Sequence, residues 1–263
     1  MLKLDAFFEV LDGVAPLSLS HRLIEKGDYD NSGIIVKSHE KVEKVLFSLD
    51  LSKKAIERAK RLKCDTIVTH HPAIYKPISC LSYEGDTSAL HSAIKQNLNV
   101  ISMHLNLDIA TNGIDSCFAE SLSAKKYRIL DALDEINGYG REFEIDNLTF
   151  DEFIKRAKKN LKTSKVTVYG KRTSRLKKGA SFCGGGASYA ENFVLKRLTD
   201  ADVIITSDMP HHVIKTLVEE EKNILIVPHY ASENYGFKRY YENIKKTLKN
   251  KVEIEYFEDK RFL

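Results

Sequence analysis

Histidines gather at the ends of short apolar runs that predict β-strands. Six of the nine histidines occupy such positions, namely His70, His71, His104, His211, His212 and His229. In open parallel sheets, ligands bind in the crevice beyond the carboxyl ends of the strands. Imidazole and carboxylate groups gathered there suit Zn, Fe, Mn or Co better than Mg or Ca. The distribution therefore predicts a site for transition-metal ions.

The sharpest single feature is the sequence His70-His71-Pro72. Neighbouring side chains on an extended strand point to opposite sides, so two adjacent histidines rarely share one metal ion. At a strand end just before proline the backbone turns, and the pair can then bind two ions lying side by side. The alternative is an ordinary turn that carries one core histidine and one surface histidine.

Two histidines stand four residues before an acidic residue. His229 and Glu233 fall where a helix is predicted to start, which places imidazole and carboxylate on one face, within reach of a common ion. The alternative is an N-cap histidine with a first-turn glutamate that the helix dipole favours. His104 and Asp108 have the same spacing in a predicted loop, where the spacing carries less information.

A glycine-rich turn and a second histidine pair complete the candidate site. Between a predicted strand and a helix, Gly184, Gly185, Gly186 and Ser188 offer backbone N–H groups that suit a phosphate or carboxylate of a substrate. The alternative is a tight turn with Ser188 as the N-cap. Asp208 and His212 are candidates to orient metal ligands or, together with His104, to act as acid and base.

The chain alternates β-branched runs with amphipathic helical stretches, which predicts an α/β fold with a largely parallel sheet. Residues 124–145 are less periodic and predict a division into a first lobe, residues 1–125, and a second lobe, residues 126–263. Both halves have a strand ending at a His-His pair, then a helix, then a strand ending in His-x-x-x-acid. A two-fold internal repeat is therefore a hypothesis. The predicted strands are Lys44–Asp50, Asp65–Thr69, Asn99–Met103, Lys165–Tyr169, Ala180–Cys183, Asp202–Thr206, Asn223–Val227 and Val252–Tyr256.

Composition excludes several classes of protein. The chain has 263 residues, 43% hydrophobic and 30% charged, which is typical of a globular protein. Its 41 basic residues are interleaved with 37 acidic ones, so a nucleic-acid partner is not expected. The basic stretch 171–178 is either a solvated loop or a site that contacts phosphate. Four cysteines without a CxxC pair indicate buried, reduced thiols and a cytoplasmic protein. No apolar run approaches the ~20 residues that span a bilayer, so no membrane partner is expected.

The motifs THHP, MHLNLD, CGGGAS, SDMPHH and PHYASE occur in the order found in the Nif-three-like family. Bacterial members of that family are labelled GTP cyclohydrolase 1 type 2 homologues. The segment Asp30-Asn31-Ser32-Gly33 also resembles the family's N-terminal DNxG element. The resemblance runs from about residue 5 to residue 257, and the length resembles the short form that lacks an inserted domain.

The resemblance implies two similar α/β lobes with a dinuclear metal site in the cleft between them. It also implies a toroidal homohexamer. By motif position, the implied ligands of two divalent ions (Zn, Fe or Mn) are His70, His71, Asp108, His229 and Glu233, with Glu233 as the bridge. The sequence departs from the family at Leu105, where a threonine is usual, and around Met209.

These observations lead to one principal functional hypothesis, a metal-dependent hydrolase. Two ions would activate a water that attacks a purine ring or a similar small molecule, with C8 of the guanine of GTP as the position that the family label suggests. The alternative is a metal-binding regulatory or adaptor protein without cyclohydrolase activity. Open coordination positions favour the hydrolase, because structural metal sites are usually closed by protein ligands.

Overall fold

The computed structural model of the chain describes residues 2–249 and 251–263 and has a mixed α/β fold, which confirms the predicted class. The helices are α1 (Leu4–Asp12), α2 (Leu17–Glu25), α3 (Lys53–Leu62), α4 (Ser88–Lys95), α5 (Leu105–Ile109), α6 (Ile114–Ser121), α7 (Phe150–Asn160), α8 (Ala187–Leu195), α9 (His211–Glu219) and α10 (His229–Thr247). The strands are β1 (Leu2–Lys3), β2 (Gly33–Val36), β3 (Lys41–Val42), β4 (Lys44–Ser48), β5 (Thr66–Thr69), β6 (Asn99–Ser102), β7 (Tyr127–Ala132), β8 (Gly138–Thr149), β9 (Thr167–Tyr169), β10 (Arg175–Ser181), β11 (Val203–Thr206), β12 (Asn223–Ile226) and β13 (Glu253–Phe257).

Backbone contacts divide the chain into two units. Unit 1 comprises Met1–Ala110 and Phe237–Asp259, and unit 2 comprises Thr111–Gly236 and Lys260–Leu263. The division predicted after residue 125 falls inside unit 2. The predicted and observed divisions differ because β7 and β8 form an antiparallel hairpin, and β8 also pairs with β10. The stretch predicted as a boundary is therefore part of a sheet.

Unit 1 is built on a five-stranded sheet in the order β13-β4-β5-β6-β2. The first four strands are parallel, and β2 runs antiparallel to β6. Every residue of β5 and β6 is buried, as expected for the central strands of a parallel sheet. Helix α3 begins where the Ser52 hydroxyl accepts a hydrogen bond from the Ala55 N–H and ends at Lys63 in the left-handed conformation.

Unit 2 is built on a six-stranded sheet in the order β7-β8-β10-β11-β12-β9. Only β10, β11 and β12 are parallel to one another, while β7, β8 and β9 run antiparallel to their neighbours. The prediction of a largely parallel sheet is therefore correct for unit 1 and wrong for unit 2. Residues 127–149 return directly through a short turn instead of crossing over through a helix, and such a connection can only give an antiparallel pair.

The two units share the connectivity of their central strands. In unit 1 the chain runs β4-α3-β5-α4-β6, and in unit 2 it runs β10-α8-β11-α9-β12. Each segment also has an antiparallel partner that comes before it in the chain. In unit 1 β2 pairs with β6, and in unit 2 β9 pairs with β12. The common connectivity is consistent with the hypothesis of an internal repeat.

The cysteines are all free thiols, and three of them are buried as expected. Cys80 departs from that prediction, since it lies in an exposed loop. Burial raises the pKa of Cys64 to about 12, so this side chain remains a neutral thiol. In the described part of the chain, no helix has both the length and the apolar character that crossing a bilayer requires.

Candidate metal centre

Three histidines of unit 1 lie together at one edge of the parallel sheet. Strand β5 ends at Thr69, directly before His70 and His71, and β6 ends at Ser102, two residues before His104. Because Thr69 lies opposite Ser102 in the parallel pair, the residues that follow both strands emerge side by side. The ring centroids are 4.9 Å apart for His70 and His71, and 5.2 Å apart for His70 and His104.

Asp108 joins this cluster through a helix that the sequence did not predict. Residues 105–109 form α5, with His104 as its N-cap, so the predicted loop is wrong at this position. The short helix is fixed by the buried Asn106, whose side-chain amide donates to the Ala15 carbonyl at 2.6 Å. Asp108 Oδ1 lies 3.4 Å from His70 Nε2. His70, His104 and Asp108 each offer a ligand atom within 4.8 Å of the others.

Each of the three imidazoles is held at its Nδ1 atom. His70 Nδ1 contacts the Met103 carbonyl at 2.8 Å, His71 Nδ1 contacts Asp50 Oδ1 at 2.6 Å, and His104 Nδ1 contacts Asp30 Oδ1 at 2.7 Å. A carbonyl or an ionised carboxylate can only accept, so these contacts assign an N–H to Nδ1 and leave Nε2 as the ring atom available to a metal ion. Metal-binding histidines are oriented by such contacts.

Asp30 is buried and remains ionised. Burial acts to raise the pKa of Asp30, but the hydrogen bonds with His104, Ser20 and Ser32 outweigh it, and its pKa lies below the usual value. The Ser32 hydroxyl donates to Asp30 Oδ2 at 2.7 Å and accepts from the His104 N–H at 3.0 Å. Asp30 and its neighbours thus fix both the ring and the backbone of His104.

The orienting roles of Asp30 and Asp50 were not predicted from the sequence. Asp50 stands two residues beyond β4, the parallel neighbour of β5, so the rule that located the histidines would also have found it. Asp30 precedes β2, which is antiparallel, and therefore reaches the same edge from the start of a strand. The only sequence feature that marked Asp30 was the DNSG segment, and the sequence alone does not indicate what this segment contacts.

In unit 2, a histidine and a glutamate share one face of a helix start. Helix α10 begins at His229, and Glu233 follows one turn later, with His229 Nε2 2.9 Å from Glu233 Oε1. Asp208, just beyond β11, contacts His229 Nδ1 through Oδ2. Asp208 therefore orients a candidate ligand, which is one of the two roles that the sequence left open.

The glycine turn of unit 2 lies against the same pair of side chains. Gly184 has a φ of +54°, and a Cβ at this position would lie 2.4 Å from Glu233 Oε1. The Gly184 N–H donates a hydrogen bond to the Ser232 hydroxyl oxygen at 3.1 Å. The absence of a side chain at Gly184 thus lets the backbone approach the carboxylate. The N-cap of α8 is Gly186, so Ser188 lies within the first turn and is not the cap that the alternative interpretation expected.

The second histidine pair, His211 and His212, makes none of the side-chain contacts described for the other candidate ligands. His211 and His212 form the first turn of α9, and both are exposed. The His212 carbonyl accepts a hydrogen bond from the Thr216 hydroxyl at 3.0 Å. The acid–base role of His212 remains a prediction, as does substrate binding by Gly184, Gly185, Gly186 and Ser188.

A family model described as Duf34/NIF3 (NGG1p interacting factor 3) matches residues 2–261 of the chain. The chain belongs to this family. A Clostridium perfringens relative named GTP cyclohydrolase 1 type 2 homolog is 29% identical over 258 residues, which cover 96% of this chain and 95% of the relative. The resemblance read from the five motifs is thereby confirmed.

Solved structures share the fold of this NIF3-family chain. The crystal structure of the Staphylococcus aureus protein SA1388 superimposes with a TM-score of 0.86 at 22% identity, covering 98% of this chain and 97% of that one. Reduced HcgD from Methanocaldococcus jannaschii superimposes with a TM-score of 0.80 at 25% identity, covering 98% of both chains. The arrangement of strands and helices is thus common to proteins of low sequence identity.

Two adjacent glycines of this NIF3-family chain give a matched test of the local geometry. Gly184→Ala is expected to weaken metal binding at least about tenfold, since the new methyl group must displace the Glu233 carboxylate and the backbone is left-handed there. Gly185→Ala is the control, because its Cβ meets nothing within 4 Å. Titration of metal-free protein with Zn or Mn measures both. Equal affinities for the two variants would contradict the assigned role of Gly184.

Proposed function

We propose that this chain is a metal-dependent hydrolase with two divalent ions held by His70, His71, Asp108, His229 and Glu233. One observation carries the proposal. His70 and His229 each face oxygen atoms at both ring nitrogens, a setting that a metal ion on one side of the ring would satisfy. The family-level label of the relatives supports the same reading, since the relative from Clostridium perfringens is named a GTP cyclohydrolase 1 type 2 homolog.

The acceptors are identified by distance. At His70, Nδ1 meets the Met103 carbonyl and Nε2 lies 3.4 Å from Asp108 Oδ1. At His229, Nδ1 meets Asp208 and Nε2 lies 2.9 Å from Glu233 Oε1. A neutral imidazole has a single N–H, so each ring needs either a second proton or a metal ion between Nε2 and the carboxylate. In unit 1 the metal ion is favoured, because possible ligand atoms of His70 and Asp108 lie within 4.8 Å of each other and of His104, the group assigned to proton transfer beside the metal.

The ligand count favours combining the two sets. His229 and Glu233 supply one imidazole and one carboxylate, fewer than the three protein ligands of a typical catalytic zinc site. We therefore propose His229 and Glu233 as ligands in addition to the histidine and aspartate residues of unit 1, and Glu233 would supply the second carboxylate. Five protein side chains around two ions leave coordination positions for water and for a substrate.

Bound ions would lower the pKa of a water molecule and polarise the substrate. The residues of the chain would do the rest. Asp30 and Asp208 keep His104 and His229 oriented, and His104 holds or moves a proton at Nε2. We assign His212 a further acid–base role. The exposed Gly185 and Ser188 are assigned to contacts with the substrate, a purine nucleotide such as GTP by analogy with the label of the relatives.

Metal removal and restoration test the proposed activity. We expect chelator-treated protein to be inactive, and protein reconstituted with Zn, Mn or Fe to release formate and a ring-opened product from GTP. The measurement is formate release together with chromatography of the nucleotide. If metal-loaded protein hydrolyses neither GTP nor any compound in a panel of cyclic amides and phosphoesters, the assignment as a hydrolase is wrong. A metal-binding regulatory protein is then the better account.

The proposal includes a homohexamer with a toroidal shape. A molar mass of about six times 29.9 kDa is therefore expected for the protein in solution. Light scattering coupled to size-exclusion chromatography measures this mass directly. A monomeric mass at micromolar concentration would contradict the hexamer but would not contradict the proposed metal ligands.

A further inference from the structure

Two exposed tyrosines stand beside the histidine cluster of unit 1. Tyr29 and Tyr75 are 47% and 48% exposed, and their ring centroids are 5.4 Å apart at an interplanar angle of 74°. The Tyr75 ring also lies 6.0 Å from that of His104, nearly perpendicular to it. About half of each aromatic side chain is therefore open to a ligand next to a candidate metal-binding residue.

Both tyrosines lie beside residues of the 30–32 segment, which also orients His104. Tyr29 directly precedes Asp30, the carboxylate that binds His104 Nδ1. The segment that carries Tyr75 is tied down where the Asn31 side-chain amide donates to the Ile74 carbonyl at 2.6 Å. The aromatic pair is thus held at a set position relative to His104, as a specificity site must be.

Tyr75 belongs to a long irregular loop. Residues 70–84 form neither helix nor strand, and loops of this length in compact proteins usually serve a function. The loop begins at the histidine pair, so its first part lies beside the proposed metal centre. Its later part carries Tyr83, which is 72% exposed and gives a matched control in the same loop.

We propose that Tyr75, supported by Tyr29, stacks against the planar heterocycle of the substrate. The inference rests on the proposed metal-dependent function and assigns recognition of the substrate's ring to these two tyrosines. Aromatic side chains bind such rings through their faces with little dependence on the identity of the base. A substrate without a planar ring would gain nothing from this pair of tyrosines.

Three variants test the stacking: Tyr75→Leu, Tyr75→Phe and Tyr83→Leu. With metal-loaded protein and GTP, Tyr75→Leu is expected to raise KM by about tenfold or more, because stacking is lost. Tyr75→Phe keeps the ring and Tyr83→Leu lies farther along the loop, so both are expected to stay within about twofold of the wild type. Metal content and the affinity for inorganic triphosphate, which has no ring, are expected to be unchanged in all three.

Several outcomes would overturn the inference. An unchanged KM for Tyr75→Leu, or an equal loss for Tyr75→Phe, would show that the ring does not stack on a substrate. If the wild type binds GTP without turning it over, the hydrolase fails, and the stacking is then decided by the dissociation constants of the same variants. Metal-loaded wild type that binds neither GTP nor guanosine would exclude the stacking itself.

Discussion

Replacing His70 with alanine is expected to leave the chain with fewer than two bound metal ions and to lower hydrolytic activity by on the order of 10³-fold or more. His70 is fully buried, and its Nε2 lies 3.4 Å from Asp108 Oδ1. A catalytic metal ion contributes several kcal/mol of charge stabilisation, and each 1.4 kcal/mol is a factor of ten in rate. Elemental analysis of reconstituted protein and the rate of hydrolysis measure the two effects.

Two further variants separate ligand loss from general damage. His21→Ala removes an exposed histidine of α2 and is expected to keep full metal content and activity. Asp108→Asn preserves the shape of the side chain beside His70 Nε2 but removes its negative charge. This variant is expected to lose metal without creating the cavity that His70→Ala leaves in the interior. Full metal content in both His70→Ala and Asp108→Asn would show that this cluster does not bind the ions.

Replacing Arg141 with methionine is expected to lower the free energy of unfolding by about 3–5 kcal/mol. Arg141 Nη1 lies 2.9 Å from Asp115 Oδ2, and the two side chains are 1% and 0% exposed. The substitution leaves a buried carboxylate without its positive partner. Asp115 Oδ1 also accepts the Cys183 N–H at 3.0 Å, so the ion pair supports the strand end that leads into Gly184. Urea denaturation measures the loss.

An exposed ion pair of unit 2 provides the control. Arg172 Nη1 lies 3.3 Å from Asp151 Oδ1, with both side chains about half exposed, so Arg172→Met is expected to cost no more than about 1 kcal/mol. A loss for Arg141→Met as small as that for Arg172→Met would contradict a structural role for the buried pair.

The stability loss of Arg141→Met is expected to depend on pH. Burial raises the pKa of Asp115 in the folded protein even though Arg141 acts against it, and removing Arg141 raises it further. A carboxyl group whose folded pKa exceeds its unfolded value binds its proton more tightly in the folded state. The variant should therefore lose stability as the pH rises from the unfolded pKa, about 3.9, through the raised folded pKa. The same denaturation series at pH 4 and pH 7 measures the trend, and a deficit that is larger at pH 4 would contradict it.

Locally encoded features were predictable from the sequence. Strand β5 lies within one residue of its predicted start because a short β-branched run with no polar interruption encodes it. The placement of His229 at a helix start follows from the Pro228 that precedes it, and α10 begins at His229. His70, His71 and His104 came together because parallel neighbouring strands place their carboxyl ends at one edge.

Features that depend on distant contacts were not predictable. Asp30 binds His104 across 74 positions, and Asp50 binds His71 across 21. The helix that carries Asp108 is fixed by contacts of Asn106 with residues 15 and 20, whereas its own sequence is too short to form a stable helix alone. The hairpin of residues 127–149 was missed although the buried Arg141, Phe143 and Ile145 of β8 alternate with less buried acidic residues. One of the buried positions is an arginine whose partner, Asp115, lies far away in the sequence, so the apolar alternation is too short to indicate a strand.

Anomalous diffraction from crystals grown with Zn or Mn tests the central claim most directly. The account predicts two anomalous peaks per chain, with the first ion in contact with His70 and Asp108 and the pair together contacting His71, His229 and Glu233. Data from Asp108→Asn crystals should lose at least one of the peaks. Peaks located only at surface residues, or none at metal concentrations that saturate binding in solution, would contradict the account.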